Sequence, residues 1–239
     1  MSSRDHGMTP LLSVRNLTKR FGSLVAVDDV SFDVMAGEVH CLLGENGAGK
    51  STLSSCLYGL YQPDAGRILI DGELRTLRSP ADALAAGIGM VHQHFVLVPT
   101  FTVFENIVVG THRAWRLDSA RARTRIDAIC RRFGLTLALD RLVADLAVGE
   151  QQWVEILKAL YLDARLLILD EPTAALTPEE SRRLFTMIRD MAAGGLGIIL
   201  ISHKMGEVMR SDRVTVLRKG KRVATVRTDE TSRAGLRMG

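Results

Sequence analysis

The sequence of 239 residues lacks any apolar run approaching the roughly 18 to 20 residues that a membrane-spanning helix requires. Its first ten residues are polar and lack the apolar core of a signal peptide. Internal repeats and low-complexity tracts are also absent. These absences predict a globular protein that is made and kept in the cytosol. The length is enough for one large domain or two small ones.

Cysteine is scarce, and the net charge is small. The three cysteines, Cys41, Cys56 and Cys130, are odd in number and match no metal-ligand spacing. Cys41 lies in an apolar run, so we expect it to pack as a small buried hydrophobe. A net charge of +4 and a pI near 9.2 suit nucleic acid, a membrane surface or a bound polyphosphate. The charge alone does not choose among these partners.

One stretch matches the phosphate-binding pattern G-x-x-x-x-G-K-[ST] at every fixed position. It reads Gly44-Glu45-Asn46-Gly47-Ala48-Gly49-Lys50-Ser51-Thr52. The apolar run from Val39 to Leu43 predicts a buried strand before it, and residues Thr52 to Leu60 predict a helix after it. A strand, a glycine-rich turn and a helix form the context that this motif requires.

The chemistry of this phosphate loop follows from its residue types. Gly44, Gly47 and Gly49 let the backbone wrap closely round a polyphosphate with its amides pointing inward. The helix that opens at Gly49 and Lys50 presents unpaired N–H groups and the positive end of its dipole. Lys50 can reach the outer phosphates, and the Ser51 hydroxyl can ligate Mg²⁺.

A second constellation follows an apolar run, Leu166-Leu167-Ile168-Leu169, which predicts a buried parallel strand. Asp170 and Glu171 end that strand, where ligand sites collect in open α/β sheets. Two adjacent carboxylates need a cation or a proton to coexist. We expect Asp170 to hold Mg²⁺ through its water shell and Glu171 to orient or deprotonate the attacking water.

Three further residues have two interpretations each. Gln93 and His203 each follow a predicted strand, so both could reach the same edge of the sheet, although a lone histidine is usually structural or exposed. Phe21 lies beside a turn, where it could pack under a small sheet or stack on a nucleobase.

The rest of the chain predicts a nucleotide-binding core with an insertion. Alternating strands and a hairpin turning at Asp71-Gly72 indicate an antiparallel β-subdomain. We expect a single domain over residues 9–239, with its core at 9–94 and 161–239 and a helical subdomain at 95–160. Within the insertion, an arginine-rich helix from Leu117 to Phe133 predicts either a solvated face or a partner surface.

These motifs occur in order from about Leu12 to Val226, and together they resemble the ATP-binding cassette ATPases of ABC transporters. Gly44 to Thr52 resembles the Walker A motif of that family, and Leu166 to Glu171 resembles Walker B with its catalytic glutamate. The resemblance implies an α/β P-loop NTPase fold with an antiparallel β-subdomain and an inserted helical subdomain.

The resemblance also assigns roles to the remaining residues. Gln93 resembles the Q-loop glutamine, His203 the switch histidine and Phe21 the aromatic residue that stacks on adenine. Ala147-Val148-Gly149-Glu150-Gln151 falls where the family carries its signature, which acts on the nucleotide of an opposite cassette.

A site and its cofactors follow from this family resemblance. The implied cofactors are ATP and Mg²⁺. The implied catalytic residues are Lys50, Glu171 and His203, and the implied metal ligands are Ser51, Gln93 and Asp170. The implied ATP-binding residues are Phe21, Gln93 and the stretch Gly44, Glu45, Asn46, Gly47, Ala48, Gly49, Lys50, Ser51 and Thr52.

A narrower resemblance concerns importers of nucleosides and simple sugars that work with a basic-membrane-protein-type binding lipoprotein. The residues that carry it are Gly89 to Phe95, Val98 to Val103, Glu171 to Pro178 and Ser202 to Met205. The ATPase of that group usually carries two cassettes on one chain. This sequence resembles the first cassette, either as a natural half-size protein or as part of a longer chain.

The signature departs from the family pattern at three positions. Ala147 replaces serine, Val148 replaces glycine, as is common in the narrower group, and Glu150 replaces glutamine. The backbone amides survive these changes, but the serine hydroxyl does not. Thr177 also stands where the family usually has aspartate. We therefore expect the site completed by this signature to be the weaker of a pair.

The implied function is that of the ATP-binding and ATP-hydrolysing subunit of an ABC importer for nucleosides or simple sugars. The implied partners are transmembrane permease subunits, a second cassette as a homodimer or tandem domain, and indirectly a periplasmic or lipoprotein substrate-binding protein. The implied location is the cytoplasmic face of the membrane, peripherally bound, with no nucleic acid expected.

Two alternative functions stand beside this one. The basic pI allows a soluble ABC-type ATPase that acts on DNA or ribosomes, although the sequence lacks coiled-coil or zinc insertions. Ala147 and Thr177 suggest a weakly hydrolysing regulatory cassette, but the intact Glu171 argues against it.

Overall fold

The computed structural model describes residues 9–93, 96–109 and 118–230. Three expectations lie partly outside these residues: the motif residues His94 and Phe95, the predicted helix start at Leu117, and positions 231–239 of the predicted domain. The strands in the described residues are β1 Leu12–Phe21, β2 Leu24–Val34, β3 Val39–Leu43, β4 Ala65–Ile70, β5 Glu73–Arg75, β6 Ile88–Val91, β7 Leu166–Asp170, β8 Gly197–Ser202, β9 Arg213–Arg218 and β10 Lys221–Arg227.

Four of these strands form an antiparallel sheet in the order β2-β1-β4-β5. The predicted alternation in β2 is confirmed, because Val30, Phe32 and Val34 are buried while the polar residues between them are partly exposed. One face of this sheet therefore packs inward as a β-subdomain. The hairpin between β4 and β5 turns at Asp71 and Gly72, as predicted.

The other six strands form a second sheet in the order β10-β9-β3-β8-β7-β6. All are parallel to their neighbours except β10, which pairs antiparallel with β9. Both faces of the parallel part are covered, so β3 and β8 are buried throughout and Cys41 is fully buried, as predicted. Leu43 pairs with Ser202 and Asp170 with Ile201, so the predicted site residues that follow these strands share one edge.

The helices in the described residues are α1 Lys50–Leu57, α2 Pro80–Ala85, α3 Val103–Val108, α4 Ser119–Phe133, α5 Val148–Tyr161, α6 Pro178–Ala193 and α7 Met205–Val208. The predicted opening of α1 at Gly49 and Lys50 is confirmed, whereas its predicted end at Leu60 is wrong. The helix begins at Lys50, after Gly49 in a left-handed conformation at the N-cap, and it stops before Gly59, which has φ +76°. None of the described helices is long and apolar enough to cross a membrane.

Helix α5 connects the predicted core and the predicted helical insertion. Ile156, Ala159 and Leu160 pack in a cluster with the parallel sheet and α6. Val154, Leu157 and Tyr161 pack in a second cluster with α3 and α4. The predicted boundary between residues 160 and 161 therefore falls in the last turn of a helix that belongs to both parts, and it stays a prediction.

The arginine-rich helix α4 uses several of its arginines within the chain. Arg123 pairs with Asp140 at 2.5 Å and stacks on Phe104. Arg125 pairs with Asp163 at 2.6 Å, and Arg132 donates to the Gly194 carbonyl at 2.8 Å. These intramolecular contacts favour the interpretation of a solvated face over that of a partner surface.

Two glycines with the same φ but different surroundings test the packing between β1 and β4. Gly66 has φ +97°, and a Cβ there would lie 2.5 Å from the Asn16 carbonyl oxygen. Gly195 has φ +96°, and a Cβ there would meet nothing within 4 Å. We expect Gly195→Ala to lower the free energy of unfolding by about 1 to 2 kcal/mol through backbone strain alone.

Gly66→Ala adds a backbone clash, so we expect it to cost roughly 2 kcal/mol more than Gly195→Ala in urea unfolding. Equal losses for the two variants would contradict the close approach of β1 to Gly66.

Candidate nucleotide-binding site

An open cavity of about 720 Å³ lies where the parallel strands end. Of the predicted site residues, it is lined by Asn46, Gly47, Gly49, Lys50, Ser51, Thr52, Gln93, Asp170 and Glu171. A second cavity of about 520 Å³ shares Asn46 and Gly47 with it and is also lined by Gly44, Glu45, Ala48 and His203. The phosphate loop therefore separates two cavities, with the carboxylates on one side and the histidine on the other.

Close backbone packing holds the phosphate loop in place. A Cβ on Gly44 would lie 2.6 Å from the Leu217 carbonyl oxygen, and one on Gly49 would collide with the Ala26 carbonyl oxygen. Gly49 also has φ +98°, which side chains rarely adopt. The two glycines thus let the loop lie between β9 on one side and β2 on the other.

Lys50 is buried at the start of α1, and its ammonium group folds back onto the loop. Its Nζ donates to the carbonyl oxygens of Gly44 at 2.7 Å and Glu45 at 3.0 Å. Burial lowers the pKa of Lys50, while the carboxylates of Glu171 and Asp170 act in the opposite direction. An anion in this cavity would give the buried cation a compensating charge.

Glu171 and His203 form a pair across the two loops that carry them. The Nδ1 atom of His203 lies 2.9 Å from Oε1 of Glu171. Glu171 has φ +45°, an uncommon conformation for a residue with a side chain, and its N–H donates to the Ile201 carbonyl at 3.0 Å. Backbone geometry thus turns the Glu171 carboxylate toward His203 rather than along the strand.

The predicted metal ligands are oxygen donors that line one cavity. Ser51 contributes a hydroxyl, Gln93 an amide and Asp170 a carboxylate. Burial raises the pKa of Asp170, and the neighbouring charge of Glu171 adds to the rise, so a cation would be stabilising. No cluster of three or more His, Cys, Asp or Glu side chains that could hold a metal is found in the described part of the chain. The donor set therefore fits Mg²⁺, which keeps waters and binds with the help of phosphates.

The cavity wall opposite the carboxylates was missed in the sequence. Leu24, Val25 and Ala26 of β2 line it together with Lys219 and Gly220. Only the fold places the Lys219-Gly220 turn against β2, where the Asp28 N–H donates to the Gly220 carbonyl at 2.8 Å.

Phe21 does not line either cavity, but it is 42% exposed at the end of β1. Its ring meets that of Tyr61 edge to face, with centroids 5.2 Å apart, and Tyr61 is equally exposed. Neither of the two interpretations of Phe21 is sufficient alone, because its ring packs on one side and leaves its other surface exposed. Tyr61 carried no sequence signal, since it approaches Phe21 only in the folded chain.

The predicted signature forms the start of α5, where Val148 lines a small cavity of about 20 Å³ together with Gln93 and Glu171. Ala147 is the N-cap and Val148 is 41% exposed, while neither residue lines the two cavities described above. Glu150 accepts from the Ala147 N–H at 2.9 Å and pairs with Arg141 at 3.1 Å. Glu150 thus makes one of the two hydrogen bonds of a capping box. The other bond needs a side-chain oxygen at the N-cap, which Ala147 lacks.

The remaining signature residues pack tightly inside the same chain. A Cβ on Gly149 would lie 2.8 Å from Oε1 of Glu180, so the starts of α5 and α6 touch at this glycine. Gln151 donates to the Leu146 carbonyl at 3.1 Å. Thr177 caps α6 through Glu180, so two of the departures from the family pattern, Ala147 and Thr177, lie at adjoining helix starts.

A buried carboxylate next to Gln93 was also missed by the sequence reasoning. Glu155 of α5 is 7% exposed, and its Oε1 accepts from the Val96 N–H at 2.8 Å. Burial raises the pKa of Glu155. This contact connects the segment after Gln93 to helix α5, which begins with the signature. The only sign of Glu155 in the sequence is a charged residue on the predicted buried face of that helix.

The fold and the phosphate loop define a P-loop nucleotide-binding protein. A family model described as "ABC transporter" matches residues 27–174, more than half of the chain. The chain therefore belongs to the ABC transporter family, and the predicted resemblance is confirmed.

Among curated proteins, the chain is 47% identical to the nucleoside import ATP-binding protein NupA of Lactococcus lactis subsp. cremoris, over 90% of this chain and 43% of that one. It is 47% identical to the ribose import ATP-binding protein RbsA of Hahella chejuensis, over 90% and 44%. It is 45% identical to the glucose import ATP-binding protein TsgD13 of Haloferax volcanii, over 95% and 47%. The chain thus spans a little under half the length of these relatives.

Solved structures confirm the predicted fold class. A nucleotide-free ATP-binding cassette from an ABC transporter superposes with a TM-score of 0.82 at 27% identity, covering 91% of each chain. An ATP-binding subunit of an ABC transporter gives a TM-score of 0.77 at 30% identity, covering 96% of this chain and 95% of the other.

The Lys50 contacts yield a binding test. Lys50→Ala removes the buried cation that the phosphate loop surrounds, so we expect the affinity for a fluorescent ATP analogue to fall about tenfold to hundredfold. Lys158→Ala is the matched control, because Lys158 lies on α5 and lines neither cavity. Unchanged affinity in Lys50→Ala would refute the phosphate-binding role of the loop.

Proposed function

We propose that this chain binds ATP with Mg²⁺ and hydrolyses it to drive import through a membrane transporter. The observation that carries the proposal is the Glu171–His203 pair, 2.9 Å apart, at the phosphate loop that holds Lys50. Phosphoryl transfer to water needs a general base, a cation for the outer phosphates and a polar contact for the terminal phosphate. Glu171, Lys50 and His203 would supply these three groups.

In this mechanism the loop amides and Lys50 hold the phosphates, with Lys50 exchanging its two carbonyl partners for phosphate oxygens. Ser51, Gln93 and Asp170 would hold Mg²⁺, which supplies charge neutralisation on the phosphate oxygens when bound. Glu171 accepts the proton of the attacking water.

His203 has a specific constraint in this arrangement. When Nδ1 donates to Glu171, Nε2 can donate to a phosphate only if the ring is protonated, because a neutral imidazole has one donor.

We propose that the adenine stacks on the exposed ring of Phe21. Tyr61 packs against the side of that ring, which restricts its rotation. The apolar wall at Leu24, Val25 and Ala26 would border the ribose and base.

We infer that permease subunits dock near Gln93. Val96 is 65% exposed, and Phe101 and Leu142 are also exposed. Phe101 and Leu142 lie together, because the Val143 N–H donates to the Phe101 carbonyl at 3.0 Å. Val96 follows the cavity-lining Gln93 by three residues, so an exposed apolar surface there gives a permease a contact through which it could affect the site.

The importer relatives support nucleosides or simple sugars as cargo, because the proteins named above import a nucleoside, ribose and glucose. We propose that the chain lies peripherally on the cytoplasmic face of the membrane and pairs with a second cassette, as a homodimer or in tandem. A periplasmic or lipoprotein substrate-binding protein would act only indirectly, through the permease.

Glu171→Gln tests the assigned general base. The amide keeps the shape of the side chain but cannot accept the proton, so we expect turnover to fall by orders of magnitude while MgATP binding stays nearly intact. Steady-state phosphate release is the measurement, and Glu73→Gln on the exposed strand β5 is the control. Activity within a few-fold of the parent chain would remove Glu171 from the role of base.

Ala147→Ser tests the proposed second cassette. If the signature faces the nucleotide of another cassette, the chain alone should be a poor ATPase whose rate per molecule rises with protein concentration. The added hydroxyl could contact the terminal phosphate across the interface and raise hydrolysis by about tenfold to hundredfold. ATP affinity of the monomer should not change.

The structure adds a control to this test. A serine at position 147 could complete the capping box with Glu150 and stabilise α5 by about 1 kcal/mol even in the monomer. Melting curves measure that effect separately, and Ala120→Ser in the first turn of α4 is the matched variant. A rate per molecule that is independent of dilution, and equal for parent and Ala147→Ser, would defeat the shared site.

A further inference from the structure

A buried carboxylate lies behind the Glu171–His203 pair. Glu207 belongs to the short helix α7, and it is 7% exposed. One of its oxygens accepts from the Thr173 hydroxyl, and the other accepts from the Ser202 hydroxyl at 2.6 Å. Glu207 lines neither of the two cavities beside the phosphate loop. It therefore has no direct route to nucleotide in this structure.

The hydrogen bonds of this cluster place Glu207 as the acceptor of two hydroxyl groups. The Ser202 hydroxyl already accepts from the Lys204 N–H at 3.0 Å, and the Thr173 hydroxyl accepts from Lys204 Nζ at 2.9 Å. Both hydroxyl protons are therefore available to donate to Glu207, which can only accept. Lys204 Nζ lies 3.6 Å from Glu207 and supplies the opposite charge. A glutamine would turn an N–H group toward one of the two donating hydroxyls.

The cluster joins the two segments that carry the proposed reaction groups. Thr173 is two residues after Glu171, and Ser202 directly precedes His203. Lys204 Nζ also donates to the Thr173 carbonyl at 3.2 Å. The Glu171–His203 contact joins the same segments on their open side, where the His203 side chain is 48% exposed. Glu207 thus connects these two segments on their buried side, while Glu171 and His203 connect them at the site.

Backbone strain makes such a support necessary. Glu171 holds φ +45°, a conformation that persists only where the surrounding structure enforces it. Its own N–H bond to Ile201 fixes one end of the segment, and the buried Thr173 fixes the other.

We propose that Glu207 is a positioning residue for ATP hydrolysis, which holds Glu171 and His203 in reacting geometry through Thr173 and Ser202. The inference rests on the function proposed above. A displacement of about 1 Å at reacting groups can cost on the order of a hundredfold in rate. Glu207 therefore controls turnover without controlling nucleotide affinity.

The test compares Glu207→Gln with the parent chain in ATPase rate, MgATP affinity and melting temperature. We expect turnover to fall about tenfold to hundredfold while affinity stays within about twofold. Glu38→Gln is the matched control, because Glu38 is also buried and accepts from the Met35 N–H at 2.7 Å, but it precedes β3 at the opposite end of the sheet. We expect the control to have a lower melting temperature than the parent chain but the same turnover. Turnover is measured at a temperature at which both variants are folded.

A second readout does not depend on hydrolysis. The ring signals of His203 in NMR, assigned through His203→Ala, should shift in Glu207→Gln in the direction that Glu171→Gln shifts them, and stay unchanged in Glu38→Gln. If Glu207→Gln does not fold, Thr173→Val removes one donor at nearly constant shape and should give the same shift.

The outcomes separate the inference from the function on which it rests. A parent chain without ATPase activity at any concentration, or one unaffected by Glu171→Gln, contradicts the proposed function. An active parent whose Glu207→Gln variant hydrolyses at the parent rate contradicts the positioning role alone.

A double variant tests the route of the effect. Adding Glu207→Gln to Glu171→Gln should lower the residual rate by a smaller factor than Glu207→Gln lowers the parent rate, because one of the two groups through which Glu207 acts is already absent. A full additional loss, or a loss of MgATP affinity as large as the loss of turnover, would overturn the inference.

Discussion

The structure depends on one close approach of backbones, in which the phosphate loop lies between β2 and β9. Gly44 faces the Leu217 carbonyl and Gly49 faces the Ala26 carbonyl, with no space for a Cβ at either position. The Gly220 N–H also donates to the Ala48 carbonyl at 3.1 Å, which fixes the loop from the β9–β10 turn. The antiparallel β-subdomain and the parallel sheet therefore meet at the loop, and a larger residue at either glycine would separate them.

Buried charge at the site is balanced only in part by the chain itself. Burial lowers the pKa of Lys50 and raises that of Asp170, so the environment disfavours the charged form of both. A polyphosphate beside Lys50 and a cation beside Asp170 would reverse both penalties together. For this reason we expect the two proposed cofactors to bind cooperatively.

Most of the fold and the main site could be predicted because the deciding signals are local. The run from Val39 to Leu43, the phosphate loop and the Asp170-Glu171 pair each occupy a few consecutive residues, and their strands place them on one edge. The end of α1 at Leu57 was missed, because Gly59 adopts a left-handed conformation that the sequence alone does not show.

Other parts of the site could not be predicted, because their partners are distant in the sequence. Glu207 meets Thr173 only after β7 and β8 pair, and Glu155 meets Val96 across the helical region. Ala26 and Gly220 form a cavity wall only because β2 lies beside the β9–β10 turn. A charged residue on an otherwise buried helix face is the one signal that the sequence offers for the two carboxylates.

The most direct measurement is a crystal structure of the Glu171→Gln chain with MgATP. The account predicts phosphates within hydrogen-bonding distance of Lys50 and the loop amides, and the terminal phosphate facing His203. It predicts Mg²⁺ beside Ser51 and Gln93, and adenine against Phe21. Nucleotide bound elsewhere on the chain, or phosphates that do not contact the loop from Gly44 to Thr52, would contradict it.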